Sequence, residues 1–121
     1  MKRILVVDDE PSIRKLFTRR LEGRGYEVIE ASNGNEGMKR YRESLPDLVV
    51  TDILMPERQG IGMMMELRRE FPNVKFIAVS GGGYNAPESY LEIAKYFGAL
   101  RTFSKPIDWP ELLTAIDEVL S

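Results

Sequence analysis

Five short apolar runs alternate with amphipathic segments along this 121-residue chain, and that alternation limits the fold more than any single residue does. The runs are Ile4–Val7, Tyr26–Glu30, Leu48–Thr51, Lys75–Val79 and a weaker one at Leu100–Phe103. All but the last are rich in β-branched or aromatic residues and read as strands. Between and after them, apolar residues recur at helical spacing. The faces are Ile13, Leu16, Phe17 and Leu21; Met38, Tyr41 and Leu45; Ile61, Met64, Met65 and Leu67; Tyr90, Ile93, Ala94 and Phe97; and Leu112, Leu113, Ile116 and Leu120. Boundary residues agree: Ser12 or Asp9 ahead of the first helix, Gly23 and Gly25 behind it, and Asp108 with Glu111 in capping-box spacing before the last. Such alternation predicts an α/β, doubly wound, mostly parallel sheet with helices on both faces, a (βα)5 unit. Neither linker nor repeat interrupts it, so residues 1–121 read as a single domain.

Composition matters chiefly for the chemistry it removes. The chain has no Cys, which excludes disulfides, thiolate zinc sites and cysteine nucleophiles. It has no His either, which excludes imidazole general bases, Ser-His-Asp triads and a histidine-borne phosphoryl group made by the chain itself. A formal charge of -2 gives no electrostatic case for direct nucleic-acid binding. Nothing approaches a signal-peptide core or the roughly 18 apolar residues of a membrane span. A cytoplasmic protein without membrane insertion is the expectation.

In an open parallel sheet, ligands bind outside the carboxyl ends of the strands. Asp8 and Asp9 follow the first run, Asp52 the third, Ser80 the fourth, and Ser104 and Lys105 the fifth. The stretch ILVVDDEPS, residues 4–12, passes from buried strand directly into Asp8, Asp9 and Glu10. Like charges crowded there need protonation, exposure to water or a shared cation. With Cys and His absent, hard carboxylate oxygens are the ligand set of Mg2+ or a similar divalent ion, and Glu10 is better suited to starting the first helix. A carboxylate beside such a cation can act as a nucleophile toward a phosphoryl group, with Lys105 and Ser80 placed to bind the transferred oxygens. Taken singly, each residue has an ordinary reading: Asp8 and Asp9 as helix caps, Asp52 as the start of a loop, Ser80 as a turn residue, Lys105 as a solvated lysine. Met63, Met64 and Met65 read as helix and core filler, and Trp109 as helix-start packing.

The motifs ILVVDDEP, DLVVTDILMPERQG at 47–60, Ser80-Gly81 after an apolar strand, and SKPID at 104–108 together resemble the response-regulator receiver domain of bacterial two-component signalling. The likeness runs over essentially the whole chain in order. It implies the flavodoxin-like fold with strand order 2-1-3-4-5. It implies Asp52 as phosphoacceptor, taking a phosphoryl group from a sensor histidine kinase or a histidine phosphotransfer protein. Mg2+ would be held by Asp8, Asp9, Asp52 and the Leu54 backbone carbonyl. Lys105 would pair with the phosphoryl oxygens, the Lys105-Pro106 bond would be cis, and Ser80, beside small Gly81, would be the hydroxyl switch. The result would be a phosphorylation-dependent signalling switch that catalyses its own phosphotransfer and slow self-dephosphorylation. The alternative is a degenerate receiver acting as an unphosphorylated interaction module. A small Mg2+-dependent phosphohydrolase would need a substrate-covering lid, and a flavodoxin-like cofactor binder would want a phosphate-cradling loop where this chain places acids.

Departures from the pattern bear on mechanism. Thr102 stands where receivers usually carry a switching Tyr or Phe, and Phe103 is expected to face the opposite, core side of the strand. The segment after Ser80 contains Gly81, Gly82, Gly83 and Tyr84, suited to take over the missing aromatic's role by ordering on phosphorylation. Leu54 and Gly82 offer no group to orient a hydrolytic water, hence slow loss of the phosphoryl group. Exposed Arg14, Lys15, Arg19 and Arg20 on the first helix would either meet a phosphodonor or form a solvated face. The fourth and fifth helices with strand five would form the output face. With no output domain expected after Ser121, signalling would pass by protein contact or relay.

Overall fold

The computed structural model describes residues 1–53, 60–80, 92 and 94–121. The apolar runs become strands β1 (Arg3–Val7), β2 (Glu27–Ala31), β3 (Leu48–Asp52), β4 (Phe76–Ser80) and β5 (Ala99–Ser104), paired in parallel in the order β2-β1-β3-β4-β5. The helices are α1 (Pro11–Glu22), α2 (Gly34–Ser44), α3 (Gly60–Glu70) and a C-terminal helix (Trp109–Leu120). The fourth expected apolar face is only partly described: Ala94 is buried and Phe97 half-buried, while Tyr90 and Ile93 lie outside the described residues.

All residues of β3 and β4 are buried, as central parallel strands covered on both faces require. Alternation along β1 splits the core in two. Leu5 and Val7 join Met38 and Tyr41 of α2 and Met63, Met64 and Leu67 of α3 on one face. Ile4 and Val6 join Phe17 and Leu21 of α1 and Leu112 and Ile116 of the C-terminal helix on the other. Trp109 packs its ring edge-on against Phe17 at 4.8 Å, so it is helix-start packing as expected.

Several local expectations are corrected. The residue capping α1 is Glu10 rather than Ser12 or Asp9, and its side chain makes no cap hydrogen bond; Pro11 occupies the first turn, where its missing N–H costs nothing. Asp108 does cap the C-terminal helix, its Oδ1 accepting from Glu111 N at 3.1 Å. An unforeseen counterpart opens α2, where Asn33 Oδ1 accepts from Glu36 N and Glu36 Oε1 accepts from Ser32 N. Leu45 is not on the buried face of α2. It is the C-cap, at φ 45°, and 61% exposed, because the helix stops ahead of Pro46. In α3, Met63 turns inward and Met65 is 41% exposed, the reverse of the spacing argument, which cannot rank adjacent methionines. Leu100 is skipped in the pairing of β5 with β4: Phe76 meets Ala99, and Ile77 meets Arg101. That irregularity sets the alternation beyond it. Phe103 packs in the α1 face of the core, as expected, and half-buried Thr102 is paired with Ala78 of the opposite face.

Two predictions follow from this packing. A Cβ on Gly37 would lie 2.6 Å from Met63 Sδ and 3.2 Å from Val7 Cγ2. Alanine at a helix interior gains roughly 0.5–1 kcal/mol over glycine, but overpacking costs roughly 1–3 kcal/mol. Gly37→Ala should therefore be destabilising and Gly37→Val more so, read as a lower urea midpoint with an unchanged slope. The Tyr26 hydroxyl donates to Asp117 Oδ1 on the C-terminal helix; burial, then that hydrogen bond and the Asp117 charge, push its pKa from 10.0 to about 12, against a lowering by Arg24. Folding thus favours the protonated phenol. Its stabilising contribution is intact below pH 10.0 and lost as pH rises toward about 12. Ultraviolet titration of tyrosinate should show a late component that Tyr26→Phe removes.

Candidate functional site

Because the strands are parallel, the groups that end them share one edge of the sheet. Asp8 follows β1, Asp52 and Ser80 are the last residues of β3 and β4, and Lys105 follows β5. Asp8, Asp52 and Ser80 are at most 4% exposed. The register holds them level: Asp52 is paired with Val79, Ser80 with Ser104, and Lys105 N donates to the Ser80 carbonyl at 2.9 Å.

Lys105 Nζ lies 3.0 Å from both Asp8 Oδ2 and Asp52 Oδ2, and 3.6 Å from Glu10 Oε1. Burial alone would lower the lysine's pKa; the Asp52 charge and the hydrogen bonds to Asp8 and Asp52 outweigh it and hold the ammonium above its ordinary value. The sequence places Lys105 correctly at the mouth, and its solvated reading is set aside. Glu10 does more than start α1, since its carboxylate reaches the same ammonium. The Asp8 carboxylate is further fixed through Oδ1, which accepts from Glu10 N at 2.9 Å.

Ligand atoms of Asp8, Asp9 and Glu10 lie within 4.8 Å of one another, with Asp8 buried, Asp9 half-buried and Glu10 exposed. Lys105 contacts three carboxylates, Asp8, Asp52 and Glu10, with Asp9 alongside, and hard oxygens gathered in this way suit a divalent cation. Ser80 Oγ is buried and makes no hydrogen bond among the described residues. A buried hydroxyl left open beside an ion pair is suited to a further oxygen-bearing group. The residues present therefore fit both Mg2+ and an anion of the phosphoryl kind.

The Lys105–Pro106 peptide is cis. Leu54, Gly81, Gly82, Gly83 and Tyr84 lie outside the described residues. Two supporting residues were in view in the sequence, Gly60 as the end of the 47–60 motif and Arg14 among the basic residues of the first helix, but without these roles. Gly60, first in α3, packs so closely that a Cβ would fall 2.2 Å from the Asp52 carbonyl oxygen. Arg14, read as an exposed basic residue, is instead half-buried and donates to the Asp8 carbonyl at 2.8 Å. Lys15 is exposed and pairs with Glu30 of β2, and Arg20 lies over the Trp109 ring. An apolar recess of about 220 Å3 is lined by Ile13, Leu16, Lys105, Pro106, Ile107 and Trp109.

The family model for the response regulator receiver domain matches residues 4–117. Among relatives, the chain is 37% identical to a chemotaxis protein, CheY, from Thermotoga maritima, covering 98% of this chain and 97% of that one. It is 52% identical over 69 residues to a probable transcriptional regulator, ycf27, from Pyropia yezoensis, a match to 57% of this chain that spans only 28% of the length of that relative. Among solved structures, it is similar to the response regulator protein TrrA from Thermotoga maritima in complex with Mg2+ and BeF, with 33% identity, a TM-score of 0.84, and 98% and 99% of the two chains covered. With the sheet order, the acidic corner and the bridging lysine in place, the chain belongs to the response-regulator receiver domain family.

Proposed function

We propose that the chain is a phosphorylation-dependent signalling switch in which Asp52 is the phosphoacceptor. The observation that carries this reading is the Lys105 ammonium 3.0 Å from each of two almost fully buried carboxylates at the carboxyl edge of the sheet. A structural ion pair would need only one of those carboxylates. Two, with Asp9 and Glu10 alongside, gather hard carboxylate oxygens of the kind that hold a divalent cation.

Asp8, Asp9, Asp52 and the Leu54 carbonyl would hold Mg2+. Bound there, the ion would screen the carboxylates from one another and draw charge from the phosphoryl oxygens. The Asp52 carboxylate oxygen attacks phosphorus; the new P–O bond forms as the donor's P–N bond breaks, and the electron pair returns to the imidazole nitrogen. Lys105 follows the charge from the carboxylate to the phosphoryl oxygens. Ser80 Oγ, open and buried, donates to one of those oxygens. Since these 121 residues hold no His, the phosphohistidine lies outside them, on a sensor histidine kinase or a phosphotransfer protein. The apolar recess beside Lys105 suits an apolar face of that donor.

The output is a conformational change in the segment after Ser80 and on the face built from β5, the C-terminal helix and the helix before β5, passed on by protein contact or relay. Thr102 offers no ring to rotate inward, so the switch relies on Ser80, Gly81 and the segment carrying Tyr84. Leu54 and Gly82 give no hydrogen bond to a hydrolytic water, and the aspartyl phosphate decays slowly.

Incubation with acetyl phosphate and Mg2+ should add a single phosphoryl mass to the intact protein, absent in Asp52→Asn and in EDTA. Lack of an adduct in a folded protein that binds Mg2+ would move the reading to an unphosphorylated interaction module. Lys105→Ala should slow adduct formation by roughly a hundredfold or more, the scale of losing a charge-stabilising donor, with Mg2+ affinity kept or raised. Fast decay of the adduct would count against the roles given to Leu54 and Gly82.

A further inference from the structure

Both backbone polar groups of Asp8 are held. Its N–H donates to the Ala31 carbonyl at the end of β2, at 3.1 Å. Its carbonyl accepts from Arg14 Nη1, at 2.8 Å. The same guanidinium turns Nε toward Glu30 Oε1, 3.3 Å away, one residue before Ala31 on β2. Glu30 accepts as well from Thr18 Oγ1 at 2.9 Å and Lys15 Nζ at 3.2 Å. The Arg14 and Glu30 side chains are only 15% and 22% exposed, so this is no solvated surface pair. Burial of Glu30 raises its pKa, but these donors outweigh it and keep the carboxylate charged.

The Asp8 carbonyl belongs to the planar peptide unit that joins Asp8 to Asp9. Fixing that oxygen fixes the plane, and with it the direction in which the chain presents Asp9 and Glu10. Two donors are needed at once, one to the carbonyl and one to the carboxylate, and the planar guanidinium holds its donors in a fixed fork where those of an ammonium rotate on a flexible stem.

We infer that Arg14 is a positioning residue for the divalent-cation site, with Glu30 as its anchor: it sets how well Asp8 and Asp9 converge on one ion, acting through the backbone. This rests on the reading of Asp8 and Asp9 as Mg2+ ligands. Arg14 touches neither ion nor phosphoryl group, so its removal acts first on metal affinity.

The test is calorimetric titration with Mg2+ of the wild type, Arg14→Lys, Arg14→Ala and Glu30→Gln. Arg42→Gln is the control, since it breaks an Arg–Glu pair, more exposed than this one, with Glu70 between α2 and α3 on the opposite face of the sheet from α1. Melting in EDTA is measured for each. Loss of an outer partner of a metal ligand weakens binding on the order of 10–100-fold. Arg14→Lys and Arg14→Ala should raise the Mg2+ dissociation constant about tenfold or more, Glu30→Gln by less, and Arg42→Gln not at all, whatever their melting temperatures. Arg14 variants that melt earlier in EDTA yet keep the wild-type constant would overturn the inference and leave Arg14 a purely structural role. Should Arg14→Ala fail to fold, Arg14→Lys and Glu30→Gln decide the matter by the same readout. A wild type that binds no Mg2+ overturns the underlying reading of the site instead, an outcome visible before any variant is compared.

Discussion

One ammonium wedged between two buried carboxylates is an expensive thing for a small protein to hold. Desolvating such charges costs several kcal/mol per ion, recovered only when the geometry is good and the remaining oxygens are satisfied. Here Lys105 reaches Asp8 and Asp52 at equal distance, and Asp8 is tied down besides by the Glu10 amide. The parallel sheet makes this arrangement affordable in structural terms: it carries β1, β3 and β5 to one edge and ends each in a group that the others need. The hard oxygens gathered around that lysine are what the proposed cation and phosphoryl group would use.

The two faces of the sheet divide the work. The face covered by α2 and α3 supplies Gly60, whose missing side chain lets α3 start against the Asp52 carbonyl. The face covered by α1 and the C-terminal helix supplies Arg14 and the packed Trp109 beside Lys105. The β-irregularity at Leu100 decides which side chain of β5 looks to which face, and so places Phe103 in the core and leaves Thr102 on the other side. Switching in this receiver therefore cannot be an aromatic ring at position 102 moving inward. Ser80 Oγ is instead the buried hydroxyl with no hydrogen bond among the described residues, which is why the switch role is proposed for it.

Much of this was legible in the sequence where the signal is periodic or local. Period-2 and period-3.6 patterns located the elements, and the acids, the hydroxyl and the lysine stood at strand ends because of where the apolar runs stop. The failures share a cause. Leu45 continued the spacing of its helix, but the helix ends at Pro46; Met65 looked as apolar as Met63, but only one of them points inward; Arg14 looked like its neighbours Lys15 and Arg19, but only it finds a buried carbonyl. A side chain's partner across the fold leaves no trace in the spacing of its own segment.

By itself the sequence determined the α/β class, the alternation that makes the sheet parallel, and the chemistry available at its edge: hard oxygen donors, a hydroxyl and an amine, with no imidazole or thiol. Tertiary structure alone decided that Lys105 meets Asp8 and Asp52, which lie 97 and 53 residues away along the chain, and that Glu10 joins them. It alone decided that Arg14 grips the Asp8 peptide from a strand-bound anchor at Glu30. Local patterns follow from backbone geometry, which each segment carries within itself. Charge pairing depends on distance in space, which exists only once the sheet has closed the gaps between segments.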